Sequence, residues 1–266
     1  MGLETLLFFA LIGVFGGTAA GFIGIGGGVI MVPVLLEVFR ARGVPQEVLV
    51  HVSMGTSLAV ATFSTMSSAF RHHKQGNVAW RVTPLLAATS FLSGLGAGAT
   101  AQFIPGTGLQ RGLAVVLLFA AYRMYREQKK EDLPERSIPW WGWALMGICT
   151  GIFSGFTGLA GGLFLIPLMA YIPHVSTKKL AGTSSAVVMF TAFAAATGKV
   201  LTTPAVYPGP GFIGHVHIMA ALALASTSIP SAQLGAWLNK RVGSIVYKRI
   251  FAILLVLVVL RLLVTS

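Results

Sequence analysis

The sequence predicts an all-α polytopic membrane protein of two inverted repeats. It has about 8–10 membrane helices, some broken or re-entrant at glycine clusters near the midplane. Three observations predict it. Of 266 residues, 55% are hydrophobic and 10% charged, and the mean hydropathy is +0.81; a soluble chain carries roughly a quarter charged residues. Apolar runs near or above the ~18 residues that span a bilayer recur from end to end. A glycine-rich stretch also occurs twice: residues 13–33, GVFGGTAAGFIGIGGGVIMVP, return 134 positions later as 147–167, GICTGIFSGFTGLAGGLFLIP. Gly13, Gly17, Gly21, Phe22, Gly24, Gly27, Gly28 and Pro33 then fall on Gly147, Gly151, Gly155, Phe156, Gly158, Gly161, Gly162 and Pro167.

In order, the first half offers apolar stretches at about 3–23, 27–39, 48–70, 78–104 and 108–125. The opening run lacks the basic n-region of a signal peptide and its glycine pattern returns deep in the chain, so it reads as a membrane segment. Leu6, at the position that needs Ser or Thr, excludes myristoylation. The 13-residue run 27–39 gives roughly 20 Å of helix, short for a ~30 Å hydrocarbon core, so it either crosses or re-enters with its predecessor. Residues 125–138, where charges of both signs crowd around Pro134, form a linker between an N-terminal repeat (1–124) and a C-terminal repeat (139–266). Stretches at about 139–158, 161–173, 178–200, 212–238 and 245–265 repeat the pattern, and Trp140, Trp141 and Trp143 read as an interfacial aromatic belt. The duplication extends further: Gly55-Thr56-Ser57 matches Gly182-Thr183-Ser184, and Arg111, Ala114 and Arg123 match Arg249, Ala252 and Arg261 at an offset of 138.

Charge decides the repeat parity. Five stretches per half put 14 of the 19 Lys and Arg on one side, leaving Arg40, Arg42, Arg111, Lys199 and Arg261 on the other. Four stretches per half split them 10 to 9. The positive-inside rule therefore favours inverted repeats, both termini outside and the linker in the cytoplasm. It also explains the net charge of +12 better than nucleic acid does, because the basic residues sit between apolar runs. Cys149 stands alone and supports neither a disulfide nor a cysteine metal site.

Irregular backbone at membrane depth is tolerated only where protein or a wet cavity satisfies it. Helices restarting at Gly28 and Gly162 aim unpaired N–H groups and a positive dipole end into the breaks, an arrangement that binds anions. The ladders Gly13/Gly17/Gly21 and Gly147/Gly151/Gly155 read instead as packing seats. Gly24, Gly26, Gly27, Gly28 and Gly158, Gly161, Gly162 are too dense for a stable helix and read as substrate-lining. A dinucleotide fingerprint fails, since Val29 occupies its third glycine position. Most hydroxyls of 51–70 and 178–200 suit back-bonding within a helix; the repeated pairs Thr56-Ser57 and Thr183-Ser184 are equally suited to holding an anion. Thr89, Ser90, Ser93, Ser226, Thr227, Ser228 and Gln233 are a weaker third set. Glu4 and Glu37 are the acidic residues outside loops and ends, and both lie near boundaries. That argues against a cation substrate and a carboxylate proton relay. Lys199 reads as a snorkelling interface residue, His51 as hydrogen-bonded, and His72, His73, His215 and His217 as boundary residues without metal spacing. No nucleophile–base or carboxylate pair suggests an enzyme, and no cofactor is expected.

GFIGIGGGVIMVPVL with GTSLAVATFSTMSSAFRHHKQGNV, and the copy GFTGLAGGLFLIPLM with AGTSSAVVMFTAFAAATGK, resemble the TauE/SafE family of sulfite exporters over essentially the whole chain. The resemblance implies a bacterial inner-membrane permease for small anions, often sulfite or organosulfonates such as sulfoacetate. On the motif positions it puts Gly26, Gly27, Gly28, Thr56 and Ser57 with Gly161, Gly162, Thr183 and Ser184 around the path. Ala160, standing where the first copy has Gly26, sets the symmetry of the two breaks in question. The expected partners are a small anion and the lipid bilayer, with no nucleic acid; a homo-oligomer stays open. An anion channel, or an accessory subunit without transport of its own, are the alternative readings.

Overall fold

The computed structural model describes residues 3–104, 138–170 and 175–242, with Val246, Arg249, Ile253, Val256 and Leu260 beyond them. The linker and the stretches 108–125 and 245–265 thus fall almost wholly outside the described residues. The first half supplies α1 (Leu3–Ile23), α2 (Gly28–Ala41), α3 (Gln46–Lys74) and α4 (Thr83–Thr100). The second supplies α5 (Trp140–Thr157), α6 (Gly162–Ala170), α7 (Thr177–Leu201), a two-stranded hairpin of β1 (Phe212–Ile213) and β2 (Val216–His217), and α8 (Ile218–Arg241). Four of these, in α1, α3, α7 and α8, are long and apolar enough to cross a membrane.

Two expected stretches begin differently. The run predicted from 212 opens as an antiparallel hairpin, with Phe212 opposite His217 and Ile213 opposite Val216. Gly211 and Gly214 adopt positive φ there, and the helix starts only at Ile218. Residues 75–82 likewise form turns before α4. Trp140 and Trp141 are exposed as a belt requires, but Trp143 is buried against Leu165, Met169 and Val175 and is a core residue.

Packing exchanges the halves. Helix α1 lies along α8, and its counterpart α5 lies along α4. Gly13, Gly17 and Gly21 sit directly on Leu224, Ser228 and Ala232; Gly147, Gly151 and Gly155 sit on Leu86, Ser90 and Ala97. Any Cβ on these glycines would strike the neighbouring backbone, so the ladders are the close-approach seats of small-residue membrane packing. One bundle is therefore α1, α2, α3 and α8; the other is α4, α5, α6 and α7.

The bundles meet chiefly along α3 and α7. These two run antiparallel: late Ser68 meets early Ser185 (Oγ···Oγ 2.9 Å), and early His51 meets late Lys199. Their most apolar windows are 78% buried, against 39% for α1 and α8, which turn Leu7, Leu11, Phe15, Leu222 and Leu234 outward. Outward apolar side chains on outer helices, with buried hydroxyls on central ones, match a chain solvated by lipid.

Candidate functional site

Both glycine breaks lie between the bundles and touch each other. In the first, Gly24, Gly26 and Gly27 have φ of 88°, 83° and 75°; in the second, Gly158, Ala160 and Gly161 have 70°, 59° and 73°. Ala160 thus takes the left-handed conformation of its counterpart Gly26, at a cost of about 1–2 kcal/mol for a residue with a Cβ. The two positions face one another: a Cβ on Gly26 would lie 2.6 Å from that of Ala160. Only one methyl fits between the breaks. The departure from symmetry at Ala160 is therefore steric, and the backbone symmetry of the breaks survives it.

The rest of each break meets the other reciprocally. A Cβ on Gly28 would lie 2.9 Å from the Gly158 carbonyl oxygen and 3.1 Å from Leu159 Cα; one on Gly162 would meet the Gly24 carbonyl oxygen and lie 2.7 Å from Ile25 Cα. Gly27 caps α2, its carbonyl accepting from the N–H groups of Ile30 and Met31 at 3.1 Å. Gly161 does the same for Phe164 and Leu165 at 3.0 Å. Among the described residues no acceptor faces the N–H groups of Gly26, Gly27 or Gly28, or of Ala160 or Gly161. Gly162 donates to the Ala160 carbonyl at 2.9 Å. Ser154 on α5, beside Gly161, adds a buried hydroxyl without a partner among the described residues.

All four members of the Thr-Ser pairs are fully buried and occupied. Ser57 donates to the Gly158 carbonyl at 3.4 Å, and Ser184 donates to the Gly24 carbonyl at 2.7 Å, so each serine ties its helix to the opposite bundle's break. Thr56 donates to the Val52 carbonyl at 2.7 Å and accepts from the His217 N–H at 3.0 Å. Thr183 accepts from the Ala79 N–H at 2.9 Å. The turn 75–82 and the 212–217 hairpin are thus counterparts, each pinned to a threonine of a central helix. The third set of hydroxyls stitches helices within each bundle: Ser90 meets Thr191 at 2.7 Å, Ser93 donates to Ile148 at 3.0 Å and Thr227 to Ala10 at 2.7 Å.

Four basic residues depart from their sequence reading. Lys199 is fully buried and does not snorkel. His72, His215 and His217 are buried rather than at a boundary. His72 donates Nε2–H to the Gly21 carbonyl at 3.0 Å while its Nδ1 has no partner among the described residues. A signal existed in the chain: Lys199 falls on His72 at the offset of 127 that relates the Gly-Thr-Ser motifs, so both halves carry a basic residue at one internal position. Ser154 had no such signal, because its counterpart is Ala20. Among the described residues no group of His, Cys, Asp or Glu is arranged to hold a metal ion.

Comparison with known proteins agrees with this architecture. The family model described as "Sulfite exporter TauE/SafE" matches residues 9–262. The chain belongs to the TauE/SafE family. A Haemophilus influenzae protein named as a probable membrane transporter is 27% identical over 258 residues, covering 95% of this chain and 96% of the relative. A similarly named protein of Methanocaldococcus jannaschii is 27% identical over 234 residues, 88% of this chain and 86% of the relative. No solved structure matches. This TauE/SafE chain is therefore a membrane transporter and not an enzyme.

Proposed function

We propose that the chain is a secondary carrier for small anions, sulfite or organosulfonates such as sulfoacetate, working by alternating access around the paired breaks. The carrying observation is that two helix-starting breaks abut while the N–H groups of Gly26, Gly27, Gly28, Ala160 and Gly161 have no acceptor among the described residues. Such groups, with the positive ends of α2 and α6, solvate an anion without a fixed charge. Gly26, Gly27, Gly28, Thr56 and Ser57 bound one side of the site, and Gly161, Gly162, Thr183 and Ser184 the other. The serines keep the breaks closed in the absence of substrate, and an arriving anion replaces their hydrogen bonds.

The moving bodies are the two exchanged bundles rather than the two sequence halves, since α1 and α5 are seated on helices of the opposite half. Antiparallel α3 and α7 support inverted repeats, and the distribution of Lys and Arg supports a plasma membrane orientation with both termini outside and residues 125–138 cytoplasmic. The test is reconstitution of the purified protein in liposomes loaded with radiolabelled sulfite. External unlabelled sulfite is expected to accelerate efflux saturably, the mark of a carrier. Single-channel currents would replace the carrier with a pore, and an absence of flux for sulfite, sulfoacetate, sulfate, thiosulfate and acetate would remove the anion-carrier function.

A further inference from the structure

The 212–217 hairpin folds over the ends of α3 and α7 and gathers three basic side chains. Lys199, His215 and His51 are 0%, 1% and 8% exposed. Lys199 Nζ lies 3.5 Å from His51 Nδ1, and the rings of His51 and His215 pack edge-to-face with centroids 6.0 Å apart. His215 Nδ1 lies 3.1 Å from the Lys199 carbonyl oxygen and 3.2 Å from the Thr202 hydroxyl. The backbone fixes the cluster: His215 N–H donates to the same carbonyl at 3.0 Å, and Gly55 on α3 admits the His215 carbonyl where a Cβ would collide. Two residues on, His217 N–H reaches Thr56, so the cluster is joined to the central site.

Donors exceed acceptors at this point. An ammonium has three N–H bonds, and Lys199 has one partner among the described residues, the His51 nitrogen. The ion pair of Arg40 with Glu37 is the one among the described residues, so none of the described carboxylates compensates Lys199; Glu47, one turn before His51, is exposed and unpaired to it. A buried cation left so under-solvated is costly, and an anion supplies both the missing charge and the missing acceptors. Elsewhere on the hairpin, an open pocket of about 380 Å³ is bounded by Arg42, Pro45, Tyr207, Phe212 and His217, and none of the three basic residues lines it; Arg42 is exposed at its rim.

We infer that Lys199, His51 and His215 form a second, charge-bearing oxyanion site at the hairpin end of the central helices, separate from the glycine breaks. An anion held there pairs with Lys199, apart from the uncharged breaks. The choice of sulfite as probe rests on the carrier function proposed above, whereas the site itself is tested by binding.

Sulfite affinity is measured from the thermal shift of the full-length protein in detergent at matched ionic strength, for wild type, Lys199→Gln, Lys199→Arg and His51→Gln. One lost charge-assisted contact weakens binding about 10-fold or more. The expected result is that loss in Lys199→Gln, a smaller one in His51→Gln, near-wild-type affinity in Lys199→Arg, and unfolding without sulfite no earlier in Lys199→Gln than in wild type. Wild-type affinity in Lys199→Gln overturns the site; if that variant does not fold, wild-type affinity in His51→Gln does so. Flux in liposomes separates the two ideas. Lys199-dependent binding without flux removes the carrier function alone, and normal flux with Lys199-independent binding removes this site alone.

Discussion

The contact between the two breaks makes a quantitative prediction at Gly26. A Cβ there would stand 2.6 Å from Ala160 Cβ, but at ordinary distances of 3.4 Å and 3.5 Å from Ala61 Cβ and Thr65 Cγ2. Two costs follow for Gly26→Ala: about 1–2 kcal/mol for an alanine at a φ near 83°, and about 1–3 kcal/mol for overpacking against one methyl. The sum is about 2–5 kcal/mol, at roughly 2–4 °C of midpoint per kcal/mol for a chain of this size. Ala160→Gly alone sheds its left-handed penalty and loses a buried methyl worth about 0.8 kcal/mol, so it stays near neutral. In the double variant the methyl has changed sides, the clash is gone, and stability returns to within about 1 kcal/mol of wild type. Chemical unfolding in detergent, followed by tryptophan fluorescence, gives the four corners of the cycle. Additive costs, with no recovery in the double variant, would refute direct contact of the breaks at these residues.

Three further predictions follow from the same contacts. Gly151→Leu drives a side chain into Ser90 and Ser93 of α4 and is expected to lower the unfolding midpoint severely, whereas substitution at Gly96, which has open space around it, changes it little; equal effects would remove the packing role of the ladder. Thr56→Val leaves the buried His217 N–H without an acceptor and costs about 1–3 kcal/mol, while Thr56→Ser retains most of the stability; a loss of transport in the valine variant must therefore be read beside its midpoint. In a Cys149→Ser background, cysteines replacing exposed Lys74 and Lys178 should react with an impermeant maleimide from one face of the membrane and a cysteine replacing Arg42 from the other. Labelling of position 178 together with 42 would refute the inverted repeats.

Composition and repetition settled the class, because lipid solvation demands long apolar helices whatever their arrangement. The glycine repeat at an offset of 134 located both breaks to within a residue, since density of glycine is itself incompatible with helix. Local pattern failed where partners were distant. An apolar segment such as 212–217 has the hydropathy of its helix, and only its docking on Gly55 and Thr56 makes it a hairpin. Lys199 ends an apolar run as a snorkelling lysine does, and only the hairpin's return over it buries the side chain. The Thr-Ser pairs stood out as a repeated signal, yet four of their hydrogen bonds run to residues more than 100 positions away. By itself, then, the sequence determined a TauE/SafE membrane transporter with two helix breaks. Tertiary structure decided that the breaks abut with room for one methyl, that the halves exchange their outer helices, and that a lysine lies buried without a carboxylate partner among the described residues, because each depends on which backbones approach across the pseudo-equivalent α3 and α7.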